Sequence, residues 1–132
     1  MRAKLTVLLA AAGLLIPVFQ SSAHHSGAAV FDPTKKLDMT GVVTRVEWTN
    51  PHAHFYLDVK DSSGKAVNWN MELASPNVLS RNGWKRNSIK EGDTVTVTGT
   101  QARDGSNFGI AQTMIFPDGR RLSFMSAYEN DK

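Results

Sequence analysis

The chain has 132 residues, no cysteine and a formal net charge of +3. Without thiols there is no disulfide framework, no cysteine nucleophile and no lipid attachment at a cysteine, so the core has to close by packing and backbone pairing alone. Fifteen cations against twelve acids fall far short of the positive field of a nucleic-acid binder.

The first residues form an export signal. Met1-Arg2-Ala3-Lys4 is a short positive region, Leu5 to Phe19 is apolar and uncharged, and Ser21-Ser22-Ala23 places small residues at −3 and −1 of a cut after Ala23. The apolar run is 15 residues long and is interrupted by Gly13 and Pro17. A bilayer-spanning helix needs about 20. A cleaved signal peptide over 1–23 is therefore expected, with no stable membrane insertion afterwards. The expected destination is periplasmic or secreted. Cleavage leaves 109 residues with thirteen cations, twelve acids and a net charge of +1. That is one domain of ordinary size.

Residues 24–37 show little periodicity and read as an N-terminal arm, with a turn at Asp32-Pro33. Thr40 to Trp48 alternates and is rich in β-branched residues, which predicts a strand. Its expected faces are Val42, Thr44, Val46 and Trp48 against Val43, Arg45, Glu47 and Thr49. Asn50-Pro51 interrupts it, since proline cannot donate to a ladder. A second strand is expected from His52 to Lys60, with Ala53, Phe55, Leu57 and Val59 on its apolar face. Asp61 to Lys65 is a hairpin turn. The third strand, Ala66 to Leu73, points Val67, Trp69, Met71 and Leu73 to the core.

Ser75-Pro76 opens a short helix and Gly83 closes it. Val78 and Leu79 are its buried side, and Trp84 packs back on the core. Thr94–Thr100 and Phe108–Phe116 are further strands, and Arg121–Met125 extends the sheet. Residues 126–132 are a polar tail. The fold class is mainly β: a small five- to six-stranded OB-like barrel over 38–125, with one short helix between strands three and four. The main rival is a β-sandwich, which usually has about seven strands and no helix.

All four histidines fall in two pairs, His24-His25 and His52-x-His54. A mature chain starting at His24 offers an α-amine and an imidazole from one residue. Residues two apart on a strand share a face, so His52, His54 and Tyr56 align. Strands two and three are antiparallel neighbours, which places Asn68, Asn70 and Glu72 beside Tyr56, His54 and His52. Two imidazoles and a carboxylate suit zinc or copper(II), and the His24 amine favours copper. The candidate metal residues are His24, His25, His52, His54 and Glu72, with Glu72 or Asn70 also able to orient a ligand. The bland reading of the same residues is a solvated outer sheet face.

A metal-free alternative uses Tyr56, Asn68, Asn70 and Trp48 to bind a peptide, glycan or envelope partner. Trp48 and Trp69 are in phase with apolar neighbours and are expected in the core. Lys85, Arg86 and Lys90 are expected as solvated surface. No phosphate-binding loop, dinucleotide fingerprint or catalytic constellation is visible, so no enzyme activity is assigned.

The pieces His24-His25-Ser26, Phe31-Asp32, Gly41-Val42-Val43, Glu47-Trp48, Asn50-Pro51-His52, Trp69, Glu72, Ser75-Pro76, Arg81-x-Gly83-Trp84, Gly92-Asp93-x-Val95 and Arg103-Asp104-Gly105 span nearly all of the mature chain. Together they resemble a family of small exported bacterial proteins classed as a domain of unknown function. The resemblance implies a secreted, single-domain, OB-like protein of Gram-negative type, and it supplies no activity, cofactor or partner. Its motifs cover both histidine pairs except His54.

Overall fold

The computed structural model describes residues 27–124, so the expected signal segment, His24, His25 and the tail from Ser126 lie outside the described residues. The elements are α1 (Gly27–Val30), β1 (Phe31–Glu47), β2 (His54–Lys60), β3 (Ala66–Glu72), α2 (Pro76–Arg81), β4 (Thr94–Ala102), β5 (Phe108–Ile115) and β6 (Arg121–Ser123). The fold is mainly β, with one six-stranded sheet ordered β3-β2-β1-β4-β5-β6. A further, parallel pairing joins β3 to β5 through Asn70↔Phe108, Met71↔Gly109 and Glu72↔Ile110. The pairings β1–β2–β3–β5–β4–β1 thus form a circuit. No described helix is long and apolar enough to cross a membrane.

β1 is 17 residues long and serves two partners. It pairs with β4 from Phe31 to Val42 and with β2 from Gly41 to Glu47. It also starts well before the expected boundary, so residues 31–37 of the expected arm are strand. Their alternation was hidden by an irregularity. The register with β4 shifts between Phe31 and Lys36, and Pro33 sits in that gap, where no ladder donor is needed. There Asp32 Oδ1 accepts from the Thr34 N–H at 3.0 Å and from its hydroxyl at 2.7 Å, which holds the Asp32 carboxyl below its ordinary pKa.

The expected faces of β1 are corrected at one point. Val43, not Val42, enters the core, and Val42 is 43% exposed. The register with β2 shifts between Val43 and Arg45, leaving Thr44 as an extra residue. A one-residue bulge reverses the period-2 phase, so Val43 before it and Val46 and Trp48 after it all pack on the core. Ala53, just before β2, and Phe55 and Leu57 on it are fully buried as expected, whereas Val59 of the same expected face is half-buried.

α2 carries the caps its sequence announces. Ser75 Oγ accepts from the Val78 N–H at 3.3 Å, and Pro76 occupies the first turn. Gly83 adopts φ +85°, and the Trp84 and Gly83 N–H groups donate back to the carbonyls of Leu79 (3.0 Å) and Ser80 (3.1 Å). This two-bond stop needs a residue that tolerates positive φ. It also turns Trp84 inward, where its ring meets Phe124 at 4.4 Å between centroids.

Trp69 departs from expectation. It is half-buried and packs against the core from outside it, because β3 pairs with β5 only from Asn70 onward and the strand edge at Trp69 lacks that cover. Trp48 is half-buried too. Trp84→Ala is therefore expected to lower the unfolding free energy by about 3–5 kcal/mol, as for a large buried aromatic. Trp69→Ala should cost clearly less. Urea unfolding of both variants checks this, and equal losses would contradict the assignment of Trp84 as the deeper plug.

Candidate functional site

The outward polar side chains of β2 and β3 meet at the end of the sheet where the circuit closes. The five-residue turn 61–65 sets Lys60 opposite Ala66, which gives His54↔Glu72, Tyr56↔Asn70 and Asp58↔Asn68. This register is two residues away from the expected pairing. The face is unchanged, because a two-residue shift preserves it. The side-chain contacts nevertheless run along the diagonal, within reach on a twisted antiparallel pair. His54 Nδ1 lies 2.9 Å from Asn70 Oδ1, and His52 Nδ1 lies 2.5 Å from Glu72 Oε1. The two expected partnerships are therefore made, across the diagonal.

His52 precedes β2, but its neighbour is fixed. The Ala53 N–H donates to Ala74 O at 3.1 Å, and the Leu73 N–H donates to Ala53 O at 2.8 Å. These bonds carry the ladder one step beyond the strands and hold His52 over β3. Glu72 is only 7% exposed. A carboxylate that deep needs a hydrogen-bonded partner of opposite character, and the imidazole supplies one.

Phe108 of β5 completes the floor. Its ring stacks on His54 with centroids 6.3 Å apart and an interplanar angle of 20°. The Phe31 ring also approaches Phe108, tilted by 54° with centroids 5.1 Å apart. Sequence reasoning missed Phe108 because only the long-range β3–β5 pairing brings it there. The same region fastens the start of the described chain: Arg103 donates through Nε to Ala28 O at 2.8 Å and through its backbone N–H to Val30 O at 2.9 Å.

Tyr56 stands at the other edge of the polar face. Its hydroxyl donates to Glu47 Oε2 at 3.3 Å, Glu47 is ion-paired with Arg45, and the Arg45 guanidinium lies 5.3 Å from the centre of the Tyr56 ring. In the sequence Glu47 stands in the Glu47-Trp48 motif, but neither it nor Arg45 is a candidate site residue there. Further along, Asn68 Nδ2 donates to Asp58 Oδ1 at 2.7 Å and to Thr44 Oγ1 at 3.2 Å. Of the four residues proposed for metal-free binding, Tyr56, Asn68 and Asn70 share this face, and Trp48 packs on the core.

Among the described residues, no group of three or more His, Asp or Glu side chains is arranged to hold a metal ion. His52, His54 and Glu72 are brought to one end of the sheet, with His52 on Glu72 and His54 on Asn70. His24 and His25 fall outside the described residues.

The Tyr56 phenol ionises above its ordinary range, first because burial disfavours the phenolate, then because the Glu47 charge and its hydrogen bond favour the neutral form, against a smaller opposing effect of Arg45. Glu47→Gln is expected to bring this titration part of the way back, since the burial remains. Ultraviolet difference titration measures it. A curve that does not move would remove Glu47 from the account.

No curated protein matches the chain. The chain matches the profile described as "Family of unknown function (DUF6152)" over residues 12–112, well over half of its length. That span takes in β1 to β4 and most of the histidine face, including His52, His54 and Glu72. The chain belongs to this family of unknown function.

Proposed function

We propose that the protein is an exported, single-domain binding protein that holds a transition-metal ion, copper first, through its histidine pairs. The scaffold is an OB-like barrel, a reading supported by the circuit of strand pairings and by a helix between β3 and β4. Export follows from a signal peptide removed after Ala23, which makes His24 the mature N-terminus.

One observation carries the metal reading. Both described imidazoles are tied through Nδ1 to an oxygen: His52 to the Glu72 carboxylate and His54 to the Asn70 carboxamide. A carboxylate or amide oxygen accepts, so each neutral ring holds its proton on Nδ1 and its lone pair on Nε2. This is how protein metal sites fix the tautomer and orientation of a ligating histidine. Glu72 and Asn70 then act as orienting groups behind the ligands.

The remaining donors come from the N-terminus. The described chain starts at Gly27, and Arg103 fastens it beside the Phe31–Phe108–His54 stack. Three residues of extended chain reach about 10 Å, and the proposal requires that reach to bring the His24 amine and ring, with the His25 ring, to His52. An amine and several imidazoles form a nitrogen-rich set suited to copper(II).

Calorimetric titration of copper(II) and zinc(II) into mature protein with an authentic His24 terminus tests the proposal. Submicromolar copper binding is expected. His52→Ala should weaken it more than tenfold with the melting temperature held, and one extra N-terminal Gly should weaken it as well. Binding no better than that of an unrelated protein would overturn the metal reading and return attention to a metal-free partner of Tyr56, Asn68 and Asn70.

A further inference from the structure

We propose that the outer face of β1, β4, β5 and β6 is a dimerisation surface, on which a second copy of this chain packs about a two-fold axis.

The face follows from the ladder. Val95 and Val97 of β4 and Met114 of β5 belong to the core, and Leu37, Met39 and Leu122 pack against it. The residues between them on each strand therefore point away from the core. The register sets these outward residues in two rows across the four strands. One row is Asp38, Thr98, Thr113 and Ser123, and the other is Thr40, Thr96, Ile115 and Arg121. Val42 and Thr94 continue the surface on β1 and β4.

Its chemistry sets it apart from the histidine face. Among the described residues the exposed large hydrophobic side chains are Val42 (43%) and Ile115 (36%), and both lie here. Threonines stand between them, and their hydroxyls bond to one another. Thr40 Oγ1 lies 2.8 Å from Thr96 Oγ1, and Thr98 Oγ1 lies 2.6 Å from Thr113 Oγ1. Hydroxyls that answer each other cost less to strip of water, and their methyl groups remain to pack against a partner.

Charge selects a second copy as that partner. Asp38 and Arg121 stand at diagonally opposite corners of the two rows, on strands three spacings apart, about 14 Å. Neither is ion-paired among the described residues. A two-fold axis lying in the face, across that diagonal, sets Asp38 of each copy against Arg121 of the other. The patch thus carries both halves of its own complement. A partner of uniform charge would meet repulsion at one of the two corners.

Sedimentation equilibrium of the mature protein in chelator reads the association with no metal to bridge copies. A reversible monomer–dimer equilibrium is expected. Ile115→Lys should weaken it at least tenfold, because it puts an unpaired charge into the contact. Asp38→Arg alone brings two guanidiniums together at each corner, and Arg121→Asp alone brings two carboxylates together. Each should also weaken association at least tenfold. An equimolar mixture of these two variants joins a guanidinium to a carboxylate at both corners again, and should recover dimer as a heterodimer. All three positions are exposed, and an unchanged near-ultraviolet circular dichroism spectrum verifies that the variants are folded. His52→Ala should leave the dimer intact, which separates this surface from the proposed metal site. A protein that stays monomeric up to roughly 1 mM, a dimer indifferent to Ile115→Lys, or a mixture that fails to recover dimer would overturn the proposal.

Discussion

The rest of the structure depends on β1 serving β4 and β2 in turn, with Gly41 at the changeover. Gly41 pairs with Val95 of β4 and with Val59 of β2. A Cβ there would come within 2.5 Å of the Asp58 carbonyl oxygen, so the close approach of β2 needs a residue without a side chain. The return side of the circuit has the same requirement. At Gly99, where the β4–β5 register shifts, a Cβ would lie 2.1 Å from Ile110 O. Glycines and irregularities at such points are how sheets curve strongly enough to meet themselves. In a chain with no disulfide, that closure by backbone hydrogen bonds does the work of a covalent staple.

Closure also creates the candidate site. Asn70 and Glu72 have two duties. Their backbones pair with Phe108 and Ile110, and their side chains hold His54 and His52. Phe108, delivered by the same pairing, stacks on His54. The paired half of β3 thus gathers and orients the imidazoles, and its unpaired half leaves Val67 and Trp69 half-buried beside Met39 and Val59. One seam, closed at one end and open at the other, accounts for two chemically different surfaces on one short strand.

What could be read from the sequence was the information local to it. The Ser75-Pro76 start and Gly83 stop of α2 are capping chemistry within a few residues, and the structure has both. The polar and apolar faces of β2 and β3 follow from period-2 alternation and are as expected. The phase of β1 was not legible, because a single extra residue at Thr44 exchanges its faces and nothing in the residue types marks it. The start of β1 was masked in the same way by the irregularity around Pro33. Phe108 and the half-exposure of Trp69 depend on a pairing between β3 and β5 that are separated by a helix and a strand. No local pattern encodes that contact.

The His52–Glu72 pair is better explained by orientation than by stability. A nearly buried carboxylate loses most of its hydration, and its attraction to an imidazole does little more than offset that loss. An apolar residue in the place of Glu72 would carry no such cost. What a carboxylate gives, and a hydrocarbon cannot, is a fixed acceptor for Nδ1, which settles both the ring plane and the nitrogen that carries the lone pair. His54 receives the same constraint from a neutral amide, with the Phe108 ring stacked near-parallel to it. Two adjacent histidines restrained at the same ring nitrogen by different chemistry share a directional consequence, not a charge. That is the feature a plain solvated sheet face would leave without a role.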